Sequence, residues 1–194
     1  GEGGGRVGCG VGWARRGAPA GPDRLVCDLD PDEGLSCDRV RAAAFETRDR
    51  LTNLGLKSLA MVTGGKGIHV VVPLVRRTDA EDAGAFAERF ARSVAGEEPE
   101  RYTATLSKAK RKNRIFIDWL RNRRGATAIA PYSTRAREGA PVATPVSWTE
   151  LKSLKAANTF HVTEVLSRLK DADPWAEASD WRQSITVRMR DALR

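Results

Sequence analysis

The feature that most constrains this chain is a short run in which apolar and acidic residues alternate, Arg24-Leu-Val-Cys-Asp-Leu-Asp30. Alternation with period two is typical of a β-strand, which sends successive side chains to opposite faces. One face of this strand carries Leu25, Cys27 and Leu29, and the other carries Val26, Asp28 and Asp30. The chain must therefore bury one face while keeping two carboxylates side by side on the other, roughly 6 to 7 Å apart at Cα.

Beyond this strand, the sequence predicts a mixed order of helices and strands. Hydrophobic periodicity and capping residues predict helices at 36–54, 79–95, 103–111, 148–156 and 161–170, and another from residue 181. The same patterns predict strands at 58–62, 68–75 and 114–120, with mostly loop over 125–145. In the 161–170 helix we expect one buried face, made of Val162, Val165, Leu166 and Leu169. This order favours the α+β class, with helices packed against a sheet.

Composition and charge remove several classes of protein. No stretch reaches the roughly 18 to 20 apolar residues that a membrane span needs, so we expect no integral membrane protein. The three cysteines are odd in number and unevenly spaced, which excludes a disulfide scaffold and favours a reducing cytosol. The chain has 33 basic and 25 acidic residues, and this net charge of +8 favours a polyanionic partner.

The first 21 residues differ from the rest, because they hold nine of the 18 glycines. Glycine-rich sequence of low hydrophobicity predicts a disordered leader over 1–21, and no apolar core of a secretory signal is present there. A second interpretation treats this stretch as a foreign or out-of-frame leader. An open reading frame that continues upstream in register would contradict that second interpretation.

The two strand acids have more than one explanation. Asp28 and Asp30 repel each other unless a cation lies between them, and two divalent ions about 4 Å apart are the common device for phosphoryl transfer. An Asp before a proline also opens turns, so the spacing alone leaves both explanations open. A calcium-binding EF-hand fails, since Glu33 and Arg39 stand where Gly and Glu are required. A phosphatase of the haloacid dehalogenase type is weakened, because Asp32 stands where Thr or Val is expected.

A glycine-rich turn, Thr63-Gly-Gly-Lys-Gly67, separates two of the predicted strands. It is not a Walker A loop, because Ala60 and Gly67 stand where Gly and Ser or Thr are required. Its backbone amides can nevertheless form an anion nest, to which Lys66 adds a charge. His69 follows in an apolar strand. It is either a structural histidine or a contact to phosphate. We expect phosphate binding by five residues, Thr63, Gly64, Gly65, Lys66 and His69.

A third acid stands in a strongly basic window. Asp118 is the only acid among the cations around it and lies on a predicted strand, so it is either a salt-bridge partner or a third metal-binding carboxylate. The surrounding cations could track a nucleic-acid backbone or form a solvated face. We expect nucleic-acid contacts from Lys108, Lys110, Arg111, Lys112 and Arg114. Tyr102 and Trp119 are candidates for base stacking.

Five motifs then occur together, in this order: Cys27-Asp-Leu-Asp-Pro31, Thr63-Gly-Gly-Lys-Gly-Ile-His69, Ser107-Lys-Ala-Lys-Arg111, Ile115-Phe-Ile-Asp-Trp-Leu-Arg-Asn122 and Ala130-Pro-Tyr-Ser-Thr-Arg-Ala-Arg-Glu-Gly-Ala-Pro-Val-Ala-Thr-Pro145. Together they resemble the primase-like polymerase domain of bacterial ATP-dependent DNA ligase D, in the archaeo-eukaryotic primase superfamily. The resemblance covers about residues 22–175, and 176–194 would be a carboxyl-terminal helical extension.

The resemblance implies a function and a site. It implies an RRM-like primase/polymerase catalytic sheet with packed helices, on which Asp28, Asp30 and Asp118 bind two divalent ions, Mn²⁺ or Mg²⁺. Arg121 would join the residues of the glycine turn in holding nucleoside triphosphate. The implied activity is nucleotide addition at DNA ends in non-homologous end joining, beside a ligase and end-binding repair proteins. The implied place is the bacterial cytoplasm, at the nucleoid.

The sequence also departs from the family pattern. Thr63 stands where the family usually has Ser, and Trp119 where Tyr is common. The family has a longer region before the Asp-Leu-Asp strand, so we expect a domain truncated at its front. This expectation keeps two alternatives open. One is a catalytically impaired DNA-binding fragment, and the other is a phosphatase that uses Asp28 as its nucleophile.

Overall fold

The computed structural model describes residues 21–193, so the predictions for the glycine-rich leader lie outside the described residues, apart from Gly21. The strands are β1 (Arg24–Pro31), β2 (Leu59–Val62), β3 (Ile68–Pro73), β4 (Tyr102–Thr103), β5 (Ile115–Asp118) and β6 (Thr144–Val146). The α-helices are α1 (Cys37–Asn53), α2 (Ala80–Glu97), α3 (Trp148–Ser153), α4 (Val162–Arg168) and α5 (Val187–Asp191). Three short 3₁₀ turns cover Lys108–Arg111, Trp119–Asn122 and Ala176–Asp180.

The six strands form one sheet in the order β4-β5-β1-β3-β2-β6. All neighbours are antiparallel except β4 and β5. The acidic strand β1 lies inside this sheet, with β5 on one side and β3 on the other. The predicted α+β class is therefore confirmed, and the predicted hairpin of β2 and β3 forms around the glycine-rich turn.

Helices α1 and α2 cover the face of the sheet that carries the apolar residues of β1. Each helix begins where a capping residue satisfies a free backbone amide: the Ser36 side chain accepts from the Arg39 amide, and Asp79 accepts from the Asp82 amide. Phe86 of α2 is fully buried in the core that results. Within residues 21–193, no helix combines the length and apolar character needed to cross a membrane.

The carboxyl-terminal segment packs against one end of the opposite face of the sheet. There, Val26 and Val71 form an apolar cluster against Trp175 and Trp181 of the carboxyl-terminal segment. The Trp175 indole donates to the Ala60 carbonyl at 3.0 Å. The other end of this face is where β1 carries its acids. The segment that contains Trp175 and Trp181 therefore docks on the sheet beside Val26 and Val71.

One predicted element is wrong in type, and another is wrong in where it begins. The predicted helix over 103–111 is instead the strand Tyr102–Thr103, a linker and a single 3₁₀ turn, because this strand pairs with β5 in parallel register. The predicted helix from residue 181 begins only at Val187.

The predicted apolar face of α4 is also wrong, because only Val165 is buried. Val162, Leu166 and Leu169 remain 44%, 59% and 57% exposed. The helix has only seven residues, and Val165 is the one apolar side chain by which it joins the core that residues 21–193 form.

Two cysteines in different surroundings allow a test of this packing. Burial, aided by the charge of Asp28, raises the pKa of Cys27 to about 12, whereas Cys37 is only half-buried at the start of α1. Because the thiolate is the nucleophile, we expect iodoacetamide at pH 8 to modify Cys37 at least about tenfold faster than Cys27. Mass spectrometry of the peptides measures both rates, and urea-unfolded protein, where the rates should converge, is the control. Equal rates in the folded protein would contradict the burial of Cys27.

Candidate active site

The register of the sheet gathers three chemically active side chains into one row. Asp28 of β1 pairs directly with Asp118 of β5 on one side and with His69 of β3 on the other. Directly paired residues of antiparallel strands lie on the same face, with Cβ atoms about 4.5 to 5.5 Å apart. The row is largely buried, since the three residues are 9%, 7% and 3% exposed. His69 Nε2 lies 3.3 Å from Asp28 Oδ1.

The guanidinium group of Arg121 bridges the two carboxylates of the row. Directly after β5 the chain turns into the 3₁₀ segment Trp119–Asn122, where Asp118 caps the turn by accepting from the Leu120 amide at 3.0 Å. This turn carries Arg121, whose Nε donates to Asp28 at 3.1 Å and whose Nη2 lies 3.1 Å from Asp118. Arg121 also donates to the Thr127 carbonyl at 3.1 Å. A positive charge therefore already sits between two acids of the row.

The acids of the row differ in their electrostatics. Burial by itself would raise the pKa of Asp28, but His69 and Arg121 together outweigh it and hold the pKa below its ordinary value. The pKa of Asp118 is raised, because burial and the charge of Asp28 outweigh Arg121. The two carboxylates also raise the pKa of Arg121, against the effect of its own burial. The site favours a cation between Asp28 and Asp118.

Asp30 lies apart from this pair. Its side chain is 58% exposed and faces Arg111 at 3.7 Å, and burial together with repulsion from Asp28 raises its pKa. Among residues 21–193, no three His, Cys, Asp or Glu side chains stand ready to hold one metal ion. The carboxylates themselves suit a divalent ion, because carboxylate oxygens are the ligands that Mg²⁺ and Mn²⁺ prefer. In this structure arginine guanidinium groups contact all three acids.

The glycine-rich turn lies beside the row, and two of its glycines are required, Gly67 by space and Gly64 by its backbone conformation. A Cβ at Gly67 would stand 2.9 Å from the Leu29 carbonyl and 3.5 Å from Asp28 Oδ1. Gly64 has a φ of +68°, which side chains rarely adopt. The Thr63 hydroxyl donates to the Gly67 carbonyl at 2.9 Å, so it closes the turn. The predicted anion nest is also reduced, because the Gly64 amide donates to the Ala157 carbonyl.

Two arginines that sequence reasoning missed lie against this turn. A Cβ on Gly64 would stand 3.0 Å from Arg135 Cγ, and one on Gly65 would stand 3.4 Å from Arg137 Nη1. Burial and the charge of Arg137 lower the pKa of Arg135, which marks a concentration of positive charge. With the exposed Lys66, these side chains form a cationic pocket that suits an anion. In the sequence both arginines belong to the fifth family motif, Ala130 to Pro145, but no role was assigned to them there.

The predicted nucleic-acid contacts are divided by the structure. Lys108, Lys110 and Lys112 are exposed and Arg114 is half-buried, whereas Arg111 turns inward, its guanidinium 3.7 Å from the centre of the Phe116 ring. The stacking expected from two aromatic residues is wrong, because Tyr102 and Trp119 are 2% and 7% exposed. The Tyr102 hydroxyl donates to Glu46, and the Trp119 indole donates to the Ala104 carbonyl.

Comparison with known proteins agrees with this architecture. The family model described as LigD, primase-polymerase domain, matches residues 9–175, which includes part of the glycine-rich stretch. The multifunctional non-homologous end joining protein LigD of Pseudomonas aeruginosa is 42% identical over 175 residues, covering 89% of this chain and 21% of that protein. The bifunctional non-homologous end joining protein LigD of Bacillus subtilis is 31% identical over 150 residues, covering 77% of this chain and 24% of that protein.

A solved structure gives the same result. The polymerase domain from Mycobacterium tuberculosis ligase D in complex with DNA superposes with a TM-score of 0.77 at 34% identity, covering 86% of this chain and 60% of that one. The fold and the row of acids thus define an α+β domain of the primase-polymerase class. The chain belongs to the family of LigD primase-polymerase domains. It spans between a fifth and a quarter of the length of the two curated relatives.

Proposed function

We propose that this chain is a metal-dependent nucleotidyltransferase that adds nucleotides to DNA ends in non-homologous end joining. The observation that carries the proposal is the row Asp118, Asp28 and His69, aligned across three strands beside a cationic pocket. Membership in a family whose relatives are named as end-joining proteins supports it. On the same ground we propose a ligase and end-binding repair proteins as partners, at the nucleoid in the bacterial cytoplasm.

The carboxylates provide the binding half of this proposal. Asp28, Asp30 and Asp118 would hold two divalent ions, Mn²⁺ or Mg²⁺. When bound, such ions lower the pKa of the attacking 3′ hydroxyl and neutralise charge on the leaving pyrophosphate. Asp28 is suited to this task because His69 and Arg121 keep its pKa low, so it is ionised at neutral pH. Arg121 now satisfies two of the carboxylates and, once released from them, lies within reach of a bound phosphate.

The cationic pocket provides the phosphate-binding half. Lys66, Arg135 and Arg137 surround the glycine-rich turn, where the missing side chains let a ligand approach the backbone closely. We expect Thr63 and His69 to contact the bound phosphates as well. Thr63 also closes the turn, and His69 Nε2 lies 3.3 Å from Asp28. The exposed Lys108, Lys110 and Lys112 and the half-buried Arg114 would follow the DNA backbone, so DNA affinity should fall as the salt concentration rises.

Primer extension tests the activity and calorimetry tests the pocket. The chain is incubated with Mn²⁺, nucleoside triphosphates and a gapped DNA duplex, and extension of the 3′ end is the expected result. Lys66→Ala should weaken Mn²⁺-dependent binding of nucleoside triphosphate about tenfold, since one charged contact to phosphate is lost. The exposed Lys152 of α3 gives the matched control, Lys152→Ala, which should bind like the wild type. A wild-type chain that shows neither primer extension nor nucleotide binding would contradict the proposed function.

One observation favours a second candidate, a DNA-binding domain without catalysis. Asp30 is exposed and pairs with Arg111, and the described residues offer no three-ligand group as they stand. This candidate predicts salt-sensitive DNA binding without extension. The phosphatase alternative, with Asp28 as its nucleophile, predicts that activity is indifferent to changes at Asp118. Asp118→Ala tests it, since Asp118 shares Arg121 with Asp28.

A further inference from the structure

We propose that Asn122 is a positioning residue, which acts by fixing the turn from which Arg121 reaches the two carboxylates and, in the loaded site, the phosphate; this inference rests on the proposed function. Asn122 is only 8% exposed and stands at the end of the 3₁₀ turn that carries Arg121. Its Oδ1 accepts from the Val26 amide at 2.7 Å, and its Nδ2 donates to the Val26 carbonyl at 2.8 Å. The same Nδ2 donates to the Trp119 carbonyl at 3.1 Å.

These hydrogen bonds take the place of backbone pairing between β1 and β5 at Val26. The antiparallel register that pairs Asp28 with Asp118 would next pair Val26 with residue 120. The chain leaves β5 before that point, at the start of the 3₁₀ turn. A buried N–H and C=O on Val26 would then lack partners, which is costly. The Asn122 amide has one acceptor and two donors, and it satisfies both Val26 groups in the way a neighbouring strand would.

The hydrogen bonds between Asn122 and Val26, here called the clamp, also affect the acidic row. The 3₁₀ turn is fixed at its start by the Asp118 side chain on the Leu120 amide, and at its end by Asn122 on β1. Arg121 lies between the two fixed points and reaches Asp28 and Asp118, each at 3.1 Å. Releasing the end of the turn frees the guanidinium to leave both carboxylates. Asn122 thereby sets the position from which Arg121 serves the site.

A double-mutant cycle separates this role from a general effect on folding. We expect Asn122→Ala to weaken Mn²⁺-dependent binding of nucleoside triphosphate about tenfold, the scale of one charged hydrogen bond. In an Arg121→Ala background the same change should cause no further weakening, because Asn122 acts through Arg121. A purely structural role would weaken binding by the same factor in both backgrounds. That equal weakening overturns the proposal.

Gln183 provides a matched control at a distance from the acids. Its side-chain amide makes the same kind of clamp, accepting from the Lys57 amide at 2.9 Å and donating to the Lys57 and Pro73 carbonyls at 2.8 Å each. Gln183→Ala should therefore lower thermal stability while leaving nucleotide affinity unchanged. If Asn122→Ala does not fold, Asn122→Asp repeats the cycle, since it keeps the acceptor for Val26 and loses the donors.

A spectroscopic reading distinguishes failure of this inference from failure of the proposed function. The Nε–H of Arg121 contacts Asp28 and should give a distinct signal in a ¹H–¹⁵N spectrum of the metal-free chain. This signal should move to the position of a solvated arginine in the Asn122 variants and stay in place in Gln183→Ala. An unchanged signal in the Asn122 variants overturns the positioning role. A wild type that binds no nucleotide contradicts the proposed function alone, because the spectrum still decides the role of Asn122.

Discussion

Replacing Asp28 by asparagine is expected to slow nucleotide addition by about a thousandfold or more while the chain stays folded. Asp28 is the centre of the acidic row, in contact with both His69 and Arg121. Asparagine has nearly the same shape and can still accept a hydrogen bond from Arg121, but it carries no charge to hold a divalent ion. Loss of one preorganised electrostatic contact at a reacting centre typically costs a factor of about 10² to 10³, and a lost metal ligand costs no less.

Single-turnover extension of a gapped DNA at saturating Mn²⁺ measures this loss. Asp49→Asn is the matched control, because Asp49 is an acid on α1 with a side chain 62% exposed, paired only with its neighbour Arg48. The control should extend the primer at the wild-type rate. Circular dichroism should give the same spectrum for both variants. An Asp28→Asn variant that extends within about tenfold of the wild type would remove Asp28 from the catalytic site.

The parts of the fold that sequence predicts well are those in which local pattern and burial agree. The alternation in β1 marks its faces because one face lies in the core, and the structure buries Leu25, Cys27 and Leu29 as expected. The starts of α1 and α2 follow from Ser36 and Asp79, because an N-cap is a local hydrogen bond. The prediction of a buried apolar face on α4 fails because, within residues 21–193, no other element covers most of that face. Periodicity shows that residues share a face and does not show whether another element covers it.

The site is harder to predict, because its geometry depends on long-range pairing. Nothing in the spacing places Asp118 beside Asp28, which lies 90 residues earlier, and the grouping of the three acids came from the family resemblance. The sheet register supplies that contact for Asp118 and leaves Asp30 facing Arg111. Arg135 was missed because its proximity to Gly64 depends on a loop that returns about 70 residues later. Basic residues are common in loops, so their number alone carried no signal.

Arg121→Ala should destabilise the metal-free chain and make its stability respond strongly to Mn²⁺. Removing the guanidinium leaves Asp28 and Asp118 facing each other without a cation. Breaking a buried ion pair costs about 3 to 5 kcal/mol, but Arg121 is 39% exposed, so we expect about 1 to 2 kcal/mol at neutral pH. Divalent ions no longer compete with the guanidinium, so Mn²⁺ should raise the melting temperature of the variant more than that of the wild type.

The pH dependence of this loss follows from Asp28. Arg121 helps to hold the pKa of Asp28 below its unfolded value, so the stabilisation is present above that value and is lost as pH falls through the folded pKa. The difference in free energy of unfolding between the wild type and Arg121→Ala should therefore be largest near pH 7 and should shrink below about pH 4. Urea unfolding of both proteins near pH 7 and below about pH 4 measures this difference. The control is Arg92→Ala, since Arg92 is 69% exposed in an ion pair with Glu88 and should cost about 0.5 kcal/mol or less. An equal loss at both pH values would mean that Arg121 stabilises the fold by packing, and that the acidic row does not depend on its charge.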